Sequence, residues 1–111
     1  TLDEHKNIRN GLYLEAELVI FTFSHQDRTS FFDLNDILIL EMKKATPNTP
    51  FIIAGCLNNP NPGSVPAVSV MDPIILTLRT QAQAFVAFHN NAETSIEFLF
   101  TVSKHIIRMQ R

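Results

Sequence analysis

Leu18-Val-Ile-Phe-Thr-Phe23 is short, almost continuously apolar and rich in β-branched and aromatic residues. Two later runs share that character, Phe51-Ile-Ile-Ala54 and Ala84-Phe-Val-Ala-Phe88. Each has the length of a strand, and none alternates polar with apolar residues, which predicts strands buried on both faces. Strands of that kind belong to parallel sheets, because the helical crossovers that parallel pairing needs cover both sides. Helices are therefore expected between them.

The intervening segments supply them. Thr29 to Lys44 opens on Thr and Ser capping candidates, carries Phe31, Leu34, Leu38 and Met42 at helical spacing, and stops before Pro47 and Pro50. Asn58-Asn-Pro-Asn-Pro-Gly-Ser64 is loop chemistry, after which Ser69 or Asp72 ahead of Pro73 marks a helix start. Ile74, Ile75, Leu78 and Ala82 would form the inner face of that helix. From about Ala92 to Met109, Ile96, Leu99, Phe100, Ser103 and Ile107 share one side, with Lys104 and Arg108 near the negative end of the dipole. The order βαβαβα, with right-handed crossovers, gives an α/β fold: an open parallel sheet with flanking helices.

Composition agrees. The chain's 111 residues are 45% apolar and 18% charged, enough for one domain over residues 1–111 with its own core. Nine Lys and Arg against eleven Asp and Glu give a net charge of −2 without a basic stripe, so nucleic acid is not an expected partner. Cys56 is the single cysteine, which excludes an internal disulfide and suits a reducing, cytoplasmic setting. The unbroken apolar runs Leu18 to Phe21 and Ile37 to Leu40 are too short to cross a bilayer, so no membrane anchor is expected.

Few residues suggest chemistry directly. His5, His25, His89 and His105 are scattered, without His pairs or cysteine clusters at metal-ligand spacing. Asp27 falls at a helix start, and Asp33 and Asp36 on the solvent side of that helix, where capping and solubility account for them. Cys56 closes an apolar strand with no base beside it in sequence and reads as a small buried hydrophobe.

In order and spacing these stretches resemble the C-terminal half of a Ras-superfamily small GTPase, most closely the Rho family. Ile8-Arg-Asn-Gly-Leu-Tyr13 looks like the end of switch II, Glu17-Leu-Val-Ile-Phe-Thr-Phe-Ser24 like the fourth strand, and Ser30-Phe-Phe-Asp-Leu34 like the start of the third helix. Glu41-Met-Lys-Lys-Ala-Thr-Pro-Asn-Thr-Pro50 is the most Rho-like. The resemblance runs without a gap from about Glu4 to Asn59.

The resemblance also implies base-binding positions, and there the chain departs from the family. Gly55-Cys-Leu-Asn-Asn59 stands where the family has Gly-Asn-Lys-x-Asp, so Cys56 and Leu57 replace Asn and Lys, and Asn59 replaces the aspartate that accepts two hydrogen bonds from guanine. Losing that charge-assisted contact costs on the order of 1.5–3 kcal/mol of affinity. His89-Asn-Asn91, with Asn90 offering a backbone N–H, stands where the family has Ser-Ala-Lys. No Gly-x-x-x-x-Gly-Lys-[Ser/Thr] occurs, so the half that would cradle phosphates and Mg²⁺ is absent from these residues.

The resemblance thus implies a degenerate or truncated Rho-like domain that acts in signalling through protein contacts, with no catalytic residue and no cofactor expected of its own. GTP or GDP with Mg²⁺ would bind only if the missing half were supplied, as in the alternative of a working GTPase completed outside this sequence. The expected partner surface combines Arg9 and Tyr13 of the switch II-like stretch with Phe32 and Ile39, seven residues apart on the outward face of the next helix. Residues 18 to 23 would present an unpaired sheet edge, a second place for a protein partner. A third reading is an α/β scaffold with an unrelated ligand at the strand C-terminal ends.

Overall fold

The computed structural model describes residues 5–57, 68–88 and 92–110. Within them the order is α1 (Lys6–Glu15), β1 (Val19–Ser24), α2 (Arg28–Asp33), a π-helical turn (Leu34–Leu38), α3 (Ile39–Ala45), β2 (Phe51–Cys56), α4 (Met71–Thr80), β3 (Phe85–Phe88) and α5 (Ala92–Gln110). The three strands form one parallel sheet in the order β1-β2-β3, with Val19 opposite Phe51 and Ile53 opposite Phe85. The expected open parallel sheet with flanking helices is the observed architecture. Among the described residues no helix is long and apolar enough to cross a membrane.

Burial on both faces holds for the central strand alone. Phe51, Ile52, Ile53 and Ala54 of β2 are all buried. β1 alternates, with Phe21 and Phe23 buried and Thr22 exposed, while no residue of β3 is fully buried. An edge strand lacks a neighbour on one side, so helices packed over the sheet centre cover it incompletely.

One face carries the main core. Tyr13, Phe21, Phe23, Phe31, Leu34, Ile39, Met42, Phe51, Ile53, Val68 and Leu76 form a single cluster, so α1 to α4 all contribute to this side. Aromatic edges meet within it: Phe23 lies 5.2 Å from Phe31 and Phe21 lies 5.8 Å from Phe51, both edge to face. Ile52, Ala54 and Ile106 of α5 are buried outside that cluster.

The hydrogen-bond register shows which groups are left over. Val19 N donates to Pro50 O and His25 N to Cys56 O, so the odd-numbered residues of β1 bond to β2. In a parallel strand the even-numbered N–H and C=O groups then point the other way. Ser24 N is met by Ser30 Oγ at 3.0 Å. Ile20 and Thr22 keep the open edge, beside a groove of about 260 Å³ whose walls include Leu12, Leu34 and Leu38.

Three helical phases differ from the sequence reading. Asp27, ahead of Thr29, caps α2: its Oδ1 accepts from Thr29 N and Ser30 N. Ile39 N then donates back to Leu34 O, five residues earlier, which is the π-type bond. That extra residue moves the inward stripe from position 38 to position 39, so Ile39 is 1% exposed. Its expected place on an outward partner face is corrected accordingly. In α4, Pro73 and Leu76 are buried, and Ile75 and Leu78, expected inside, are exposed. Val68, ahead of this helix, is buried and tied to His25 by two hydrogen bonds. In α5, Phe100 is exposed beneath Lys104 Nζ, 4.6 Å from the ring centroid, and Ile106 takes the inward place.

Candidate functional site

Two polar side chains among the described residues, Glu41 and His25, are buried, each in a defined geometry. The first joins α1 to α3. Arg9 donates through Nε and an Nη to the two carboxylate oxygens of Glu41, both at 2.8 Å, and the Tyr13 hydroxyl donates to Glu41 Oε2 at 3.0 Å. Tyr13 and Arg9 lie four residues apart on one face of α1, so both reach the same carboxylate one helix away. Glu41 sits among Ile39 and Met42 on the inner side of α3, where a carboxylate needs such partners to tolerate burial.

Electrostatics follows from this geometry. The Arg9 hydrogen bonds hold the Glu41 carboxyl below its ordinary value, against the opposing effect of burial, and the Tyr13 hydroxyl adds to the lowering. Burial raises the Tyr13 hydroxyl, with the Glu41 bond reinforcing it, to about 12. Because the chain has one tyrosine and no tryptophan, phenolate absorbance reads this group alone. The expected midpoint is near pH 12 in the folded chain and near 10 in urea. A raised acid stabilises the fold below its unfolded pKa, so stability should decline as pH climbs from 10 towards 12. A folded-state midpoint at 10 would contradict the buried hydrogen bond.

Between these helices lies a groove of about 440 Å³, with Lys6, Asn10, Ile37, Leu40 and Lys44 in its walls. Ile37 and Leu40 are exposed there. Lys6 and Lys44 flank them, while the charge of Arg9 is already matched by Glu41. Asn10 Oδ1 is closed off from solvent without a hydrogen-bond partner among the described residues.

The second polar cluster lies at the C-terminal ends of the strands. His25 is buried, with Nδ1 donating to Val68 O at 2.9 Å while Val68 N donates to His25 O at 2.9 Å. A carbonyl only accepts, so Nδ1 carries the proton. Among the described residues Nε2 then has no partner, and it faces Gly55, with a Cβ placed at that glycine only 2.6 Å away.

The expected site residues fall apart in the structure. Cys56 ends β2 as a half-buried free thiol, and Leu57 N donates to Phe88 O at 2.7 Å. Asn59, His89, Asn90 and Asn91 lie outside the described residues. Tyr13 is buried and Arg9 is bound to Glu41, so the two brace the helix pair from within. Ile39 is buried, whereas Phe32 is exposed with the Arg28 guanidinium 5.3 Å from its ring centroid. Among the described residues no group of three or more His, Cys, Asp or Glu side chains stands together as a metal's donor set would. Glu41 and His25 were not legible as polar centres; the available signal for Glu41 was a single ionisable residue in the apolar run Ile37 to Met42, and the polar stretch around His25 carries none.

No family model matches the chain, and no curated protein matches it.

Proposed function

We propose that this chain is a Rho-like small-GTPase domain with degraded nucleotide chemistry that works in cytoplasmic signalling as a protein-docking module. The observation that carries the reading is the α1–α3 groove, in which Ile37 and Leu40 stand exposed between Lys6 and Lys44. Exposed apolar groups flanked by Lys6, Lys44 and Asp36 suit a protein surface that brings its own apolar and charged side chains. The Arg9–Glu41–Tyr13 cluster supports it by fixing the two helices that form the walls. The open edge of β1, with the Ile20 and Thr22 backbone free to pair, offers a second element to a protein partner.

The same reading excludes GTP turnover by this chain. Cys56 and Leu57 bring neither charge nor a base-stacking stem to the end of β2, and no phosphate-cradling motif is present in the sequence. Calorimetric titration of the intact chain with GTP and Mg²⁺ is expected to give no saturable heat, meaning a dissociation constant weaker than about 1 mM. Submicromolar, Mg²⁺-dependent binding would overturn the reading in favour of a nucleotide-binding GTPase.

A further inference from the structure

The ten-residue helix α4 is apolar on both sides. Its inner side buries Pro73 and Leu76 against the core. On the opposite side Met71, Ile75 and Leu78 are 57%, 53% and 76% exposed. At 3.6 residues per turn these three fall within about 60° of one another, so they form one stripe along the helix. A contiguous apolar stripe on a helix is ordinarily covered, and this one faces outward.

The charges beside the stripe identify its occupant. Asp72 and Arg79 lie on the same flank, about 20° apart around the axis, near opposite ends of the helix. Neither belongs to an ion pair among the described residues. Arg79 donates to the neutral Asn35 Oδ1, and Arg28, which shares a small cavity with Asp72, lies over the Phe32 ring. A twofold axis perpendicular to α4 at Ile75 turns a second copy antiparallel and leaves each flank facing its own equivalent. Met71 then meets Leu78 of the other copy, Ile75 meets its symmetry mate, and Asp72 comes level with Arg79 of the other copy to within about 1.5 Å along the axis. The arrangement is self-complementary, forming two reciprocal ion pairs and aligning the helix dipoles head to tail.

We propose that the chain forms a twofold homodimer through the exposed stripe of α4, with Asp72 of each copy paired to Arg79 of the other. This surface is separate from the α1–α3 groove, so the proposal stands whatever docks there. A single pair of short helices buries less than the roughly 1,200 Å² of a standard interface, which makes this a weak dimer that forms at high chain concentration.

Sedimentation equilibrium of the intact chain tests it, using the variants Asp72→Arg and Arg79→Asp, with circular dichroism confirming that each keeps its helix content. Each variant alone sets like charges opposite each other and is expected to self-associate about tenfold more weakly than the parent. In an equimolar mixture every Arg at 72 or 79 of one variant meets an Asp of the other, so a 1:1 heterodimer should return with near-parental affinity. Leu78→Glu, at the most exposed position of the stripe, should leave the fold intact and abolish the dimer. A parent chain that stays monomeric at about 1 mM, a mixture no tighter than its components, or a Leu78→Glu variant that still dimerises would each overturn the proposal.

Discussion

Gly55→Ala is expected to destabilise the chain by about 2 kcal/mol, a fall of roughly 10 °C in Tm. A Cβ at this position would lie 2.6 Å from His25 Nε2 and 2.8 Å from Phe23 Cζ. Neither neighbour yields easily. The His25 ring is held by Val68 and packs 4.9 Å from Phe23 and 6.3 Å from Phe85, and Phe23 is itself packed on Phe31. Overpacking of this severity costs about 3 kcal/mol, from which the reduced freedom of the unfolded chain removes somewhat less than about 1. His25→Ala alone should cost about 3 kcal/mol, because it leaves a cavity and frees Val68. In the double variant the added methyl group occupies space the imidazole has left. Its loss should then be smaller than the sum of the singles by at least about 1 kcal/mol. Urea denaturation of the four proteins closes the cycle, and additivity within about 0.5 kcal/mol would show that the contact is not the cause.

That contact also shows where the sequence was informative and where it was not. The strands were legible because each is a compact apolar run, and their parallel order followed from the helical segments between them. Their exposure was not, because burial on both faces depends on position in the sheet, and among the described residues only β2 has neighbours on either side. Helix phases failed where the backbone departs from the regular period. The π turn at Leu34–Leu38 adds one residue that no helical wheel contains, and it carries Ile39 inside and leaves Leu40 exposed. In α4 two apolar stripes compete, and the local pattern alone does not decide which of them meets the core. The residues expected on a partner surface are placed differently as well. Position 40 replaces position 39 at the groove, and Arg9 and Tyr13, whose residue types suggest recognition, turn inward to a carboxylate on another helix.

Glu41→Ala is expected to cost about 2 kcal/mol, since it leaves the buried Tyr13 hydroxyl without an acceptor. Tyr13→Phe removes the same hydrogen bond while orphaning nothing on the tyrosine side, and should cost about 1 kcal/mol. With both replaced, no hydroxyl remains to be satisfied, so the double variant should be more stable than the two losses summed predict. Glu41→Gln keeps an acceptor but gives up the charge that faces Arg9, and should fall between the parent and Glu41→Ala. Acid should produce the same loss in the parent. A carboxyl held below its ordinary value of 4.5 contributes stability that is present above that pH and disappears as pH falls through the folded value. The acid limb of the stability profile should therefore flatten in Glu41→Gln. Thermal melts of these variants between about pH 3 and pH 7 separate the outcomes: an unchanged acid limb would remove Glu41 as its source. Because α1 meets α3 through this carboxylate, the same variants loosen the walls around Ile37 and Leu40. The tyrosine's environment then links the fold's stability to the shape of the groove.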